Sequence, residues 1–88
     1  MTYTVDLLGA ESRAEIHERI REGLPVPEYY GSNLDALHDV LSDCANDTEI
    51  IFLNSSEVAP NMHGYVEALR WMCSETMEEY PEIHITFE

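Results

Sequence analysis

The side chains whose types and spacing could do chemistry lie in residues 33–44, where an acid recurs at every fourth position: Asp35, Asp39 and Asp43. At 100° per residue these carboxylates fall on one side of a helix, with His38 and Ser42 beside them. Like charges four residues apart each destabilise a helix by a few tenths of a kcal/mol. Since no basic residue lies between Arg21 and Arg70, the row is uncompensated and requires an explanation.

Three kinds of chemistry fit such a row: metal binding, acid–base catalysis and recognition of a positively charged partner. Asp35, Asp39 and His38 could hold Mg²⁺ or serve as base and acid, but carboxylates without Lys or Arg nearby repel a phosphate substrate. The sequence has no Gly-rich phosphate loop, no His-Glu-x-x-His and no paired Cys-x-x-Cys, and its four histidines show no recognised zinc spacing. We therefore expect no catalytic residue, no metal site and no cofactor.

Two interpretations of the acidic row remain: a solvated face of an acidic protein, or a surface that meets a positive partner. Tyr29 and Tyr30, expected to be exposed just before the helix, favour the second, because aromatic residues beside charge are typical of interfaces. Asp35 would lie in the first turn, where the helix dipole favours negative charge, whereas Asp39 and Asp43 would not. The last two aspartates are therefore the stronger candidates for partner binding.

Composition indicates the class of partner. The chain has 88 residues, 44% of them hydrophobic, which suits one domain over residues 1–88 with a single core. Four Arg, no Lys and 18 Asp plus Glu give a formal net charge of -14. This charge argues against nucleic acid or an anionic membrane and for a basic protein as partner. It would also suit solubility or a saline habitat, so its distribution matters more than its size.

Cysteine usage and the N-terminus indicate the compartment. Cys44 and Cys73 are the only cysteines, and each falls on the apolar stripe of an expected helix, so both are predicted to be reduced core residues. The N-terminus lacks the charged start and apolar segment of a signal peptide, and no run of about 18 apolar residues could span a bilayer. These features predict a cytoplasmic protein, which we expect to be a monomer when free.

Hydrophobic periodicity predicts strands and helices in alternation. Strands separated by helices pair in parallel through right-handed crossovers, so we expect an α/β fold with a three-stranded parallel sheet and helices mainly over one face. The apolar run at 50–53 predicts a strand that is buried on both sides, and that is central in the sheet or the most covered of the three. The predicted elements are a strand over 2–8, a helix over 12–22, the acidic helix over 33–44, a strand over 49–53, a helix over 60–80 and a strand over 82–88.

Local signals predict how these elements begin and end. Ser12 and Glu15 form a capping-box pattern, and Gly23 suits the left-handed position after the first helix. Ser32 or Asn33 is the predicted N-cap of the acidic helix. The remaining local predictions are a turn at Gly9, a turn over 46–48, a helical turn over 57–59, and packing of Trp71 at the edge of the apolar stripe of the long helix.

The segment over 24–41 reads LPVPEYYGSNLDALHDVL, and it resembles the barstar family of intracellular ribonuclease inhibitors. The likeness lies in PEYYG followed by NLDAL and an aspartate two residues on, and the closing EIHITFE fits as well. The resemblance implies a barstar-like fold, with helices packed on a three-stranded parallel sheet. It also implies that the chain plugs the active site of a ribonuclease and presents acid where the RNA phosphates would lie.

The resemblance further implies roles for single residues. Asp39 matches the acid that enters the phosphate site, Asp35 the flanking acid, and Tyr29 an aromatic contact. Gly31 and Asn33 match the loop and the start of the helix. Two acids of the long helix complete the expected partner-binding set: Tyr29, Tyr30, Gly31, Asn33, Asp35, His38, Asp39, Ser42, Asp43, Glu75 and Glu79.

The sequence departs from the family pattern on the rim of that surface. His38 stands in place of a tryptophan, Val40 of a cysteine, Ser42 of a threonine, and Asp43 and Cys44 of a glycine and a tryptophan. We expect these differences to suit a target other than barnase, either a secreted ribonuclease or the nuclease domain of a bacterial competition toxin, for which the chain would be an immunity protein or antitoxin. The alternative is an acidic module or nucleic-acid mimic that acts on a basic non-ribonuclease partner.

Overall fold

The computed structural model describes residues 1–44 and 47–88, along which strands and helices alternate. The elements are β1 (Thr2–Asp6), α1 (Arg13–Gly23), α2 (Leu34–Asp43), β2 (Thr48–Leu53), α3 (His63–Glu79) and β3 (Ile83–Phe87), with a 3₁₀ turn at Pro60–Met62 before α3. Each predicted strand and helix is confirmed, with bounds shifted by a few residues. Of the predicted turn over 46–48, Asn46 lies outside the described residues, and Thr48 is instead the first residue of β2.

The three strands form one parallel sheet in the order β1-β2-β3, so β2 is central. Val5 pairs with Phe52, and Ile50 pairs with Ile85. Alternate residues of all three strands therefore share one buried face. The predicted α/β fold is confirmed. The prediction that β2 is buried on both sides is wrong, because the helices cover one face and leave Ile51 half-buried on the other.

α1 begins at a cap that differs in one bond from the predicted capping box. The hydroxyl of Ser12 accepts a hydrogen bond from the backbone N–H of Glu15 at 3.1 Å, as expected. The carboxylate of Glu15, however, accepts from the N–H of Glu11 at 3.1 Å rather than from that of Ser12. Ile16 and Ile20 are fully buried, so they fasten α1 to the core.

Gly23 is needed for close packing rather than for a left-handed turn. It is the last residue of α1, and Leu24 after it is extended with φ -121°, so the predicted left-handed cap is wrong. A Cβ at Gly23 would come within 2.5 Å of the carbonyl oxygen of Thr4 and 2.8 Å of Val5 Cγ2. Glycine therefore lets α1 approach β1. Gly9 is the left-handed glycine, with φ 74°, and it turns the chain after β1 as predicted.

α3 packs against α2 and β3. Its buried residues are Val66, Leu69, Cys73 and Thr76. The predicted helical turn over 57–59 is wrong, since the backbone there is not helical. Helical structure after β2 begins only with the 3₁₀ turn at Pro60–Met62, and proline suits the first position of that turn. The predicted packing of Trp71 is also wrong, because its side chain is 70% exposed.

The two cysteines are free, as predicted. Burial raises the pKa of the Cys73 thiol to about 12. Burial, and to a smaller extent the charge of Asp43, raises the pKa of Cys44, which is half-buried. Both side chains therefore stay as neutral thiols near neutral pH and pack as small apolar groups.

Candidate functional site

A connector, residues 24–33, leads from α1 to α2, and the cap of α2 fixes the start of the helix to this connector. Asn33 Oδ1 accepts a hydrogen bond from the backbone N–H of Ala36 at 2.7 Å, and Asn33 Nδ2 donates to the carbonyl oxygen of Gly31 at 3.2 Å. Asn33 is therefore the N-cap, one of the two predicted residues. Ser32, with φ 52°, takes the left-handed conformation that turns the connector into the helix.

The apolar side of α2 faces the core and leaves the predicted acidic row in solvent. Its buried residues are Leu37, Val40 and Leu41. Asp35, Asp39 and Asp43 are all exposed. Asp35 lies in the first turn, which favours negative charge, whereas Asp43 is the last helical residue, where the helix dipole disfavours it. The helix thus carries a carboxylate at its least favourable end.

A shallow cleft of about 580 Å³ lies between the connector and α2. Its lining includes six of the predicted partner-binding residues: Tyr29, Tyr30, Gly31, Asp39, Ser42 and Asp43. Asn33 and Asp35 lie outside this lining, at the start of α2. The fold therefore places two carboxylates and a tyrosine ring around one opening, an arrangement that suits a cationic group of a partner.

The other predicted residues lie where α2 meets α3. His38 Nε2 is 3.3 Å from Glu79 Oε2, a contact that is an ion pair when His38 is protonated. Glu75, one helical turn earlier, lines with Glu79 a second groove of about 420 Å³ on α3. Since the two helices pack together and His38 contacts Glu79, we group their exposed acids as the acidic surface, defined as Asp35, Asp39, Asp43, Glu75 and Glu79.

The two tyrosines of the connector have different surroundings. Tyr29 is 88% exposed, as expected, and it lines the cleft. Tyr30 is 5% exposed, so the expectation that both rings face solvent is wrong for Tyr30. Its backbone N–H donates to the carbonyl oxygen of Pro27 at 3.0 Å. Beside this turn the Tyr30 ring is buried, whereas the adjacent Tyr29 ring stays in solvent.

Among the described residues, no arginine makes a close ion pair with a carboxylate of the acidic surface. The guanidinium groups of the arginines contact other partners. That of Arg13 lies over the ring of Tyr65 and that of Arg70 over Phe87, while that of Arg19 donates to the carbonyl oxygen of Asp6. The guanidinium of Arg21 lies over the ring of Tyr30, which lines the cleft, and donates to the carbonyl oxygen of Tyr30 at 2.9 Å. Among residues 1–44 and 47–88, the one close ion pair is the contact between His38 and Glu79. The surface therefore lacks an arginine counter-charge of its own, as the sequence predicts.

Comparison with known families gives a match to the family described as barstar (barnase inhibitor), which covers residues 1–88. The chain belongs to the barstar family. None of the curated proteins compared with it matches it significantly. The resemblance read from LPVPEYYGSNLDALHDVL is thereby confirmed, together with the barstar-like fold.

Membership of the barstar family gives the function at the level of the family, which is inhibition of barnase, a ribonuclease. The family is one of inhibitors and not of catalysts. In the part of the chain that the structure describes, no three His, Cys, Asp or Glu side chains form a group that could hold a metal ion. Across those same residues no helix has both the length and the apolar character required to cross a membrane.

A buried histidine, which sequence reasoning missed, supports the site from inside this barstar-family fold. His17 is fully buried, and its Nδ1 and Nε2 lie 2.6 Å from the hydroxyls of Tyr30 and Tyr65 respectively. This tyrosine–histidine cluster, defined as His17, Tyr30 and Tyr65, ties α1 to the connector and to α3. A signal was present in the sequence, because His17 shares helical spacing with Ile20 and Leu24.

The surroundings of the cluster determine its protonation. Burial lowers the pKa of His17 and raises the pKa values of Tyr30 and Tyr65, so all three side chains are neutral near pH 7. A neutral imidazole donates one hydrogen bond and accepts another. Tyr65 is the more exposed tyrosine, so its hydroxyl can accept from Nε2–H and give its own proton to solvent, while Tyr30 donates to Nδ1. This arrangement satisfies every polar atom of the cluster.

Proposed function

We propose that this chain inhibits a basic ribonuclease by covering its active site with the acidic surface. One observation carries the proposal: the fold of a barstar-family chain gathers Tyr29, Asp39 and Asp43 around one cleft and adds the acids of α3 beside them. None of the four arginines makes a close ion pair with these carboxylates in the described residues. Such a surface fits an enzyme cleft that is built to hold phosphates.

The proposed mechanism is electrostatic substitution. A ribonuclease binds the phosphates of RNA through cationic side chains, and we propose that Asp39 takes the position of one phosphate while Asp35 and Asp43 flank it. Tyr29 lies beside them as a rigid ring that can pack over an aromatic or cationic side chain. The net charge of -14 would speed association with a basic partner by steering.

We further propose that the protein acts as one domain, monomeric when free, in the cytoplasm. The free, neutral thiols of Cys44 and Cys73 suit a reducing compartment. A cell that makes a secreted ribonuclease, or the nuclease domain of a competition toxin, needs such an inhibitor before export. His38, Ser42 and Asp43, which differ from the family pattern, would adapt the rim of the surface to that enzyme.

The proposal is tested by RNA cleavage with a panel of barnase-like and toxin ribonucleases, each assayed with and without a stoichiometric amount of this protein. We expect one enzyme of the panel to be blocked. Asp39→Ala should weaken that inhibition about 30-fold or more, since truncating one partner of a desolvated charge pair costs about 2 kcal/mol or more, a range that includes barnase and barstar themselves.

Glu18→Ala is the matched control, because it removes the same charge from an exposed position on α1 outside the cleft. Its inhibition constant should stay within about threefold of wild type. If Asp39→Ala inhibits as well as wild type, the anchor assigned to Asp39 is wrong. If no ribonuclease is blocked and a basic protein of another class binds instead, the alternative of an acidic module or nucleic-acid mimic replaces this proposal.

A further inference from the structure

The single tryptophan of the chain lies on the surface of α3. Trp71 is 70% exposed, although an indole of this size gains much from burial. The inward side of α3 is already filled by its apolar residues, so Trp71 adds nothing to the core. Exposed large aromatic rings are typical of contact sites, especially where charged residues surround them.

Trp71 forms one wall of the α3 groove of about 420 Å³. Ser74 and three glutamates form the rest of its lining: Glu75, Glu78 and Glu79. These residues follow Trp71 by three, four, seven and eight positions, which places them on one face of the helix. The groove therefore combines one flat aromatic face with three carboxylates.

No cation of the described residues fills this groove. Arg70 is the neighbour of Trp71 in the chain, yet its guanidinium lies 5.1 Å from the centroid of the Phe87 ring, against the sheet. His38 contacts Glu79 from α2, and this contact leaves Glu75 and Glu78 without a partner among the described contacts. The groove thus offers negative charge and a π face together.

An arginine side chain matches this combination better than other groups do. Its planar guanidinium can stack on the indole and at the same time donate to a carboxylate in the same groove. A lysine ammonium is compact and strongly hydrated, so it gains less from a flat ring. The groove shares Glu75 and Glu79 with the acidic surface, and the contact between His38 and Glu79 links it to α2.

We propose that the α3 groove receives an arginine side chain of the basic protein partner, stacked on Trp71 and hydrogen-bonded to Glu78 or Glu75. The identity of that partner as a ribonuclease rests on the function proposed above. The preference of the groove for an arginine does not rest on that function, because it follows from the residues that line the groove. Trp71 and Glu78 are thus specificity residues beyond the set predicted from the sequence.

The first test measures the groove without any enzyme. As the only tryptophan, Trp71 reports binding by its fluorescence when the protein is titrated with tri-arginine and tri-lysine peptides at low salt. We expect saturable quenching and binding of tri-arginine about threefold or more tighter than of tri-lysine. A response equal for both peptides, or equal to that of free N-acetyltryptophanamide, would overturn the proposal.

Two variants separate the groove from net charge in this titration. Glu78→Gln should weaken the binding of tri-arginine about threefold, because it removes a lining carboxylate. Glu18→Gln removes the same charge from α1, outside the groove, and should leave the affinity close to wild type. Equal losses in the two variants would mean that the peptide senses the overall charge and that the groove is not a site.

The second test uses a ribonuclease that the wild-type protein inhibits. Trp71→Ala should raise the dissociation rate about five- to tenfold, whereas Trp71→Phe, which keeps a π face, should raise it about twofold or less. Inhibition that is identical in Trp71→Ala and wild type would refute the role of the groove and leave the proposed function standing. Arginine-selective binding without inhibition of any ribonuclease would refute the proposed function and leave the groove standing.

Discussion

Tyr29 and Tyr30 are adjacent in the chain, yet one belongs to a region whose polar groups face solvent and the other to a region whose polar groups are buried and hydrogen-bonded to each other. Tyr29 is 88% exposed and lines the cleft with Asp39 and Asp43, and the carboxylates of the acidic surface are exposed and form no ion pair with an arginine among the described residues. Tyr30 is 5% exposed and belongs to the tyrosine–histidine cluster, in which each hydroxyl and ring nitrogen has a partner. Within the part of the chain that the structure describes, neighbouring residues thus belong to a surface whose carboxylates have no cationic partner except His38, and to an interior cluster whose polar atoms are all hydrogen-bonded.

The difference follows from the solvent around each region. Water screens like charges, so an exposed pair of carboxylates four residues apart costs only a few tenths of a kcal/mol. A buried polar atom without a partner costs about 1–3 kcal/mol, because it has lost its hydrogen bonds to water. Like charges on the surface therefore cost little stability and remain available to a partner. Removing one side chain of the cluster costs much more, because it leaves a buried polar atom without a hydrogen bond. Substitutions should accordingly change binding in the first region and stability in the second.

The largest expected effect on stability comes from His17→Leu. Leucine fills a similar volume but leaves the Tyr30 hydroxyl without an acceptor and the Tyr65 hydroxyl without a donor. We expect the free energy of unfolding to fall by about 2–4 kcal/mol, measured by urea denaturation. Asp39→Asn, on the acidic surface, should leave that free energy within about 0.5 kcal/mol of wild type.

A matched variant shows whether unsatisfied hydroxyls cause this loss. Adding Tyr30→Phe and Tyr65→Phe to His17→Leu removes the stranded hydroxyls, and an apolar replacement of all partners is often close to neutral. The triple variant should therefore be more stable than His17→Leu alone. A triple variant that is less stable still would show that packing, and not hydrogen bonding, holds the cluster together.

The pH dependence of stability gives a smaller effect in the same region. Burial holds the pKa of His17 below its ordinary value of 6.5. As the pH falls below 6.5, His17 of the unfolded chain gains a proton, whereas His17 of the folded chain stays neutral until the pH reaches its lower pKa. The stabilisation by neutral His17 is therefore present above pH 6.5 and is lost as the pH falls towards the folded-state pKa. Relative to His17→Leu, the wild-type free energy of unfolding should fall by up to about 1.4 kcal/mol per pH unit.

Urea unfolding of wild type and His17→Leu at a series of pH values measures this difference, because the carboxylates titrate in both proteins and cancel. Curves that stay parallel from about pH 8 to about pH 5 would contradict a neutral His17 in the folded state.

The smallest expected effect lies on the acidic surface. Asp43→Asn removes a negative charge from the C-terminal end of α2 and should raise the free energy of unfolding by about 0.3–1 kcal/mol. Asp35→Asn is its control at the other end, where the dipole favours the charge, and it should lower stability by a similar amount. Urea denaturation checks both signs. Equal shifts in one direction would show that general repulsion, and not position along the helix, governs the row.

Much of the fold could be predicted because it depends on local patterns. Periodicity indicated each strand and helix, and the side-chain amide of Asn33 marked the start of α2. Predictions failed where two segments meet. Gly23 looked like a helix terminator, but its lack of a Cβ serves the approach of α1 to the carbonyl oxygen of Thr4. The spacing of Trp71 predicts packing at the edge of the apolar stripe of α3, but the side chain is 70% exposed because other residues of the helix already fill its inward side.

The sequence by itself determined the parallel α/β architecture, the family and the row of aspartates, because periodicity and charge are written along the chain. Only the tertiary structure decided that Tyr30 turns inward to His17 while Tyr29 stays in water, and that His38 brings the acids of α3 beside those of α2. The first contact joins residues 13 positions apart in the chain, and the second joins residues 41 positions apart. Packing of helices against one face of the sheet is what sets them, and no local pattern encodes that packing.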